Sequence, residues 1–73
     1  MRYYRVLAII RKWAPSLVPA FDSPTGLFPP KRRARLLSAA LYAIAGHQSD
    51  ISKRMDLENA CHIIWQATRY TER

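Results

Sequence analysis

The side chains that could carry out chemistry in this sequence are one cysteine and two histidines. Cys61 and His62 are adjacent, and His47 lies well before them. Zinc needs three or four ligands at defined spacing, and neighbouring residues of a helix point about 100° apart, so Cys61 and His62 do not converge on one ion. The same geometry argues against a Cys–His nucleophile pair. Gly26 and Gly46 are the only glycines, so the sequence has no glycine-rich phosphate loop. We therefore expect a chain that is not an enzyme and that binds no metal or cofactor.

The second chemical feature is a run of cations made of Lys31, Arg32, Arg33 and Arg35. The run lies in the first turns of a predicted helix, where the helix dipole is positive and disfavours each cation by about 0.3–1 kcal/mol. Free backbone N–H groups at that terminus, together with arginines that bind two oxygens at once, form a natural phosphate or carboxylate site. A solvated charged face is the other interpretation of this run.

Length and charge limit the possible functions further. The chain has 73 residues and a net charge of +7, which predicts one small domain over residues 1–73 with a basic face suited to an anionic partner. Residues 1–35 contain eight of the basic residues and one acidic residue, whereas residues 36–73 are balanced. Because so small a core stabilises weakly, a homodimer is possible. A lone cysteine favours the reducing cytoplasm, and no apolar run approaches the length of a membrane span.

Hydrophobic spacing predicts an all-α fold of three to four short helices. Tyr3, Val6, Leu7 and Ile10 form one stripe of a helix over about 2–14. All five prolines lie between residues 15 and 30, so residues 15–29 are predicted to be an ordered proline-rich arm. A helix over about 30–45 follows the arm, with Pro30 suited to its first position.

The C-terminal part predicts two further helices, over about 49–55 and 58–69. Ile51 and Met55 lie on one helical face, and the stripe that begins at Leu57 is rotated away from it. A break near Asp56 would let both faces be buried, and aspartate suits either a turn or a helix cap.

With that break, residues 46–65, GHQSDISKRMDLENACHIIW, resemble the helix-turn-helix of Cro-type and repressor-type phage regulators. The matching positions are Gln48, Ile51, Ser52, Lys53, Met55, Leu57, Ala60 and Trp65. The sequence departs from the family pattern at Asp56, His62, Ile63 and Ile64. The resemblance implies two short helices crossing near a right angle, with the second in a DNA major groove. It adds Lys53, Arg54 and Asn59 to the candidate nucleic-acid contacts.

These patterns favour a small, non-catalytic, basic regulator of transcription of the phage type, with duplex DNA as its partner. One alternative is an inhibitor or adaptor that binds a protein of the transcription machinery, such as RNA polymerase, because isoleucines stand where base-reading residues are expected. The candidate partner-binding residues are Tyr4, Arg5, Phe21, Leu27, Phe28, Ile63 and Ile64. Another alternative is a peripheral membrane protein anchored by residues 2–14. We expect no membrane partner, because the core needs that apolar stripe.

Overall fold

The computed structural model describes residues 2–69, and within that range every regular element is helical. The elements are α1 (Arg2–Trp13), a 3-10 turn (Pro15–Leu17), α2 (Val18–Phe21), α3 (Lys31–Gly46) and α4 (Ile51–Thr68). The predicted all-α class is therefore confirmed.

Helix α1 forms because its apolar residues recur at helical spacing. Tyr3, Val6, Leu7 and Ile10 are all buried, as the predicted stripe requires. The helix ends just before Pro15, which cannot continue it without losing a backbone hydrogen bond.

The proline-rich arm is ordered but is not free of helix. It contains the 3-10 turn and the single helical turn α2, whose first positions accept a proline because their N–H groups need no partner within the helix. This short turn brings Phe21 onto Tyr3, with ring centroids 4.9 Å apart and nearly parallel planes. The Tyr3 hydroxyl donates to Asp22 Oδ1 at 3.1 Å and accepts from the Ser23 N–H at 2.7 Å, which fastens the arm to α1.

Helices α3 and α4 form a hairpin joined by residues 47–50. Pro30 is the residue that flanks the start of α3, not its first helical residue, and Gly46 is the last helical residue. Asp50 caps α4 by accepting a hydrogen bond from the Lys53 N–H at 3.3 Å. The short connection reverses the chain direction, so α3 and α4 pack antiparallel. Between them, Cys61 Sγ donates a hydrogen bond to the Ser38 carbonyl at 3.2 Å.

The predicted break near Asp56 is wrong, because α4 is one helix from Ile51 to Thr68. The Asp56 carboxylate accepts a hydrogen bond from Trp13 Nε1 at 2.8 Å and forms no turn. The break was expected to let Ile51 and Met55 be buried, but these side chains are 68% and 57% exposed. The two short helices expected over about 49–55 and 58–69 are therefore parts of the single helix α4, which begins at Ile51 after a four-residue connection.

The core lies where α1 and the arm cover one side of the hairpin. Its largest fully buried apolar side chains are Phe21, Ile10, Leu41, Leu57, Ile64 and Val6. Trp13 at the end of α1 meets Asp56 in α4, and Tyr3 at the start of α1 meets Phe28, three residues before α3, with ring centroids 5.8 Å apart. Helix α1 is consequently parallel to α3 and antiparallel to α4.

Candidate nucleic-acid interface

The helix directions gather two N-termini at one end of the bundle. The first turn of α1 lies beside the arm that leads into α3, and the last part of α4 lies beside the start of α3, because Trp65 contacts Arg35. The cations at this end are Arg2, Arg5, Lys31, Arg32, Arg33 and Arg35, which we call the basic end. Two positive helix termini and six cations thus lie at the same end of the bundle.

Nothing in the local sequence neutralises the basic end. Neither α1 nor α3 has an acidic residue in its first turn, and no side chain caps α3 at Pro30. Arg2, Arg5, Arg32 and Arg33 are exposed, and none of them pairs with an acidic residue of the described part of the chain. The first backbone N–H groups of α3 and these side chains can therefore bind oxygens of an external anion.

Arg35 is held differently from the other cations of the basic end. Its guanidinium carbon lies 3.5 Å from the centroid of the Trp65 ring, so the two planes are in cation–π contact. Its Nε is buried and has no hydrogen-bond partner. Trp65 fixes the guanidinium beside the groove between α3 and α4.

The structure divides the predicted nucleic-acid residues between different places. Lys31, Arg32, Arg33 and Arg35 belong to the basic end, whereas Lys53 and Arg54 lie near the start of α4, at the opposite end of the bundle. Lys53 Nζ lies 5.6 Å from the Trp13 ring centroid. Asn59 is exposed in the middle of α4. These residues do not form the single surface that the helix-turn-helix resemblance implies.

Several predicted partner-binding residues belong to the interior. Phe21 is 1% exposed and Ile64 is completely buried, so their assignment to a binding surface is wrong. Phe28 and Ile63 are half-buried and pack against the core. Phe21 and Phe28 are in edge-to-face contact, with ring centroids 5.7 Å apart, which explains why the arm directs its aromatic rings inward.

Tyr4, Arg5 and Leu27 remain on the surface. Tyr4 is 57% exposed and meets the Tyr3 ring edge-to-face at 5.0 Å. Its hydroxyl lies over Gly26, whose φ of +70° suits glycine. Tyr4 therefore adds an exposed aromatic ring to the surface next to the basic end.

A groove of about 570 Å³ lies between α3 and α4 and has no residue of α1 in its lining; the hydrophobic periodicity did not indicate it. We call it the α3–α4 groove; its lining is Arg35, Ser38, Ala39, Tyr42, Glu58, Cys61, His62 and Trp65. Tyr42 and Trp65 are 65% and 49% exposed. The sequence signal that could have revealed it is a second apolar stripe on α4, which was hidden by the assumption of a break at Asp56.

Cys61 is a buried part of the hairpin. Burial raises the pKa of its thiol above the ordinary value of 9.0, so the thiol stays protonated and unreactive at neutral pH. Residues 2–69 contain no group of three or more His, Cys, Asp and Glu side chains that could hold a metal ion. In the same range, no helix combines the length and apolar character needed to cross a membrane.

Comparison with known proteins adds no relative, since no family model, curated protein or solved structure matches this chain.

Proposed function

We propose that this chain is a small, non-catalytic regulator of transcription that binds the phosphates of duplex DNA through its basic end. The observation that carries the proposal is the convergence of the α1 and α3 N-termini with six cations at one end of the bundle. A cytoplasmic location is part of the same proposal.

The cations of the basic end destabilise the free chain, and binding of an external anion offsets this cost. Cations in the first turn of a helix oppose its dipole, so Arg32 and Arg33 weaken α3 in the free chain. A phosphate reverses the sign of this interaction, because it is attracted by both the side chains and the exposed N–H groups. Asp22 of the arm, the one acidic residue among residues 2–35, already accepts a hydrogen bond from the Tyr3 hydroxyl.

Binding of this kind reads the nucleic-acid backbone more than the bases. Ile64 is in the core and Ile63 packs against it, so α4 does not present them to a major groove. Exposed Tyr4 can stack on an unpaired base without selecting its identity. We expect affinity to depend strongly on salt and weakly on sequence.

The two alternative functions have less support. Of the candidate residues of the protein-binding alternative, Phe21 and Ile64 are buried and Phe28 and Ile63 are half-buried, which leaves only Tyr4, Arg5 and Leu27 on the surface. The membrane alternative depends on the apolar stripe of α1, which is buried in the core.

The test is fluorescence anisotropy of a labelled duplex at several salt concentrations, with Arg32→Gln/Arg33→Gln compared with Arg11→Gln/Arg54→Gln. Both variants lose two exposed arginines, but Arg11 and Arg54 lie at the opposite end. Each lost phosphate contact lowers the slope of log affinity against log salt by about 0.9, so the basic-end variant should lose about 1.8. The control should keep most of the wild-type slope.

Thermal unfolding separates lost binding from lost folding. Because Arg32 and Arg33 oppose the α3 dipole, their replacement should leave the melting temperature unchanged or raise it. Equal loss of affinity in both variants, or no salt-dependent binding by the wild-type chain, would contradict the proposal.

A further inference from the structure

Helix α4 has a second face that nothing in the described chain covers. Ile51, Met55, Glu58, His62 and Trp65 follow one another at alternating spacings of four and three residues. This is the a/d spacing of a coiled coil, which places the five side chains along one side of a helix. We call this row the α4 seam.

The α4 seam is unusually apolar for an exposed helix face. Ile51, Met55 and Trp65 are 68%, 57% and 49% exposed, and they include every large exposed apolar side chain of α4. The seam borders the α3–α4 groove, where exposed Tyr42 of α3 extends the apolar surface. Exposed apolar side chains grouped in this way, here on both sides of Glu58 and His62, are typical of an interaction site.

We propose that a second copy of this chain covers the α4 seam, with the two α4 helices antiparallel and each lying along the α3–α4 groove of the other. The result is a two-fold symmetric bundle with α4 helices at its centre. The proposal does not require DNA binding, and the two surfaces meet only where Arg35 of the basic end stacks on Trp65 of the seam.

The order of the polar side chains along the seam selects the second copy and its direction, because the Glu58 carboxylate can accept a hydrogen bond from an imidazole N–H. In antiparallel a/d pairing centred near residue 60, Met55 lies opposite Trp65 of the second copy, and Glu58 lies opposite His62 of the second copy. A parallel arrangement would instead place Glu58 against Glu58, and like charges destabilise such a layer. The seam is therefore complementary to itself only when it is antiparallel.

The seam is long enough to pair over about four helical turns. From residue 51 to residue 65 it extends about 21 Å along α4. A standard interface buries about 800 Å² of each partner, which is about a sixth of this chain's accessible surface of 5060 Å².

Sedimentation equilibrium of the full chain, without nucleic acid, tests the proposal. The wild-type chain should sediment as a dimer with twice the 8.5 kDa mass of one copy. Met55→Glu should raise the dimer dissociation constant at least about 30-fold, because it places a charge opposite Trp65. Leu36→Glu is the matched control: Leu36 is 67% exposed on α3 and does not line the groove, so the dimer should persist.

Charge exchange tests the predicted pairing of Glu58 with His62. Glu58→Arg should weaken the dimer, and the double variant Glu58→Arg/His62→Glu should restore it towards the wild-type dissociation constant. Recovery in the double variant is not expected from a general loss of folding.

Cross-linking tests the direction of the helices. Under oxidising conditions, a mixture of Met55→Cys and Trp65→Cys chains should form a disulfide-linked heterodimer, whereas Met55→Cys alone should link slowly. In the antiparallel arrangement, the two copies of residue 55 lie about 15 Å apart along the axis, too far for a disulfide. Cys61 can stay in place because it is buried.

Three outcomes would overturn the proposal. The wild-type chain could be monomeric at concentrations of about 0.1 mM, which would leave the seam to a different protein. Leu36→Glu could dissociate the dimer as strongly as Met55→Glu, which would place the interface elsewhere. Finally, Met55→Cys could link to itself as fast as the mixture does, which would require parallel helices.

Discussion

Replacing Asp56 by glycine and by alanine distinguishes a continuous α4 from two shorter helices. The bond that Asp56 accepts from Trp13 Nε1 is 2.8 Å long and partly buried. Hydrogen bonds to charged groups contribute about 1.5–3 kcal/mol, and partial exposure favours the lower value, about 1.5 kcal/mol. Alanine recovers about 0.5 kcal/mol through its higher helix propensity. Asp56→Ala should therefore lower the free energy of unfolding by about 1 kcal/mol.

Asp56→Gly should lower the free energy of unfolding by about 2 kcal/mol, because glycine costs about 1 kcal/mol more than alanine inside a helix. At a left-handed turn the order reverses, since alanine is strained there and glycine is not. Urea unfolding followed by far-ultraviolet circular dichroism measures both variants. A Trp13→Phe double-mutant cycle should assign about 1–1.5 kcal/mol to the bond between Trp13 and Asp56. If Asp56→Gly were as stable as Asp56→Ala, the argument for an unbroken α4 would fail.

Three further predictions follow from individual side chains. Cys61 should resist alkylation in the native chain at neutral pH and react only as the chain unfolds in urea, which mass spectrometry can follow; rapid native reaction would contradict its burial. Gly26→Ala should destabilise the chain by about 1–2 kcal/mol, because φ is +70° and the added Cβ would lie 3.1 Å from the Tyr4 hydroxyl; an unchanged urea midpoint would refute this strain. Burial raises the pKa of Tyr3 above 10.0, the Ser23 hydrogen bond opposes the rise, and Asp22 reinforces it. Since the folded chain then keeps a proton that the unfolded chain loses, stability should fall as pH rises above about 10, less steeply in Tyr3→Phe.

The helices that sequence periodicity predicted well are those whose stripes face the core. Tyr3, Val6, Leu7 and Ile10 are all buried in α1, and α3 begins within one residue of its predicted start. Local spacing was sufficient in both cases, because each helix buries a single face.

Asp56 was misinterpreted because its partner is distant in the sequence. Trp13 lies 43 residues away, and no local pattern shows that its indole will reach α4. Helix α4 also has two apolar stripes, one in the core and one at the α4 seam. A rule that every apolar stripe must be buried within the same chain then introduces a break that does not exist.

The basic end required knowledge of the topology. The sequence shows that Arg32 and Arg33 start a helix, but only the packing of α1 on α4 and on the arm places Arg2 and Arg5 at the same end of the bundle. The antiparallel hairpin places Lys53 and Arg54 at the other end of the bundle. Two groups of basic residues that the sequence assigned to one binding surface are therefore far apart in the structure.

The two proposals together predict a dependence of DNA affinity on duplex length. An antiparallel pair of α4 helices places the two basic ends at opposite ends of the dimer, because each lies beside the C-terminal part of its own α4. In the register centred near residue 60, the two copies of residue 68 lie about 24 Å apart along the axis, which is about seven base-pair steps of DNA at about 3.4 Å each. A duplex of about 20 base pairs extends past both basic ends, whereas one of about 8 base pairs only just spans them, so the longer duplex should bind more tightly.

Met55→Glu separates the contribution of the dimer from that of the phosphate contacts. It should remove the gain in affinity between the short and the long duplex, because linkage of two sites is lost while each basic end is unchanged. Arg32→Gln/Arg33→Gln should weaken binding to both duplexes, because it removes phosphate contacts from each copy. A wild-type affinity that is the same for both duplexes, measured where the chain is dimeric, would mean that the two basic ends do not bind one DNA molecule together.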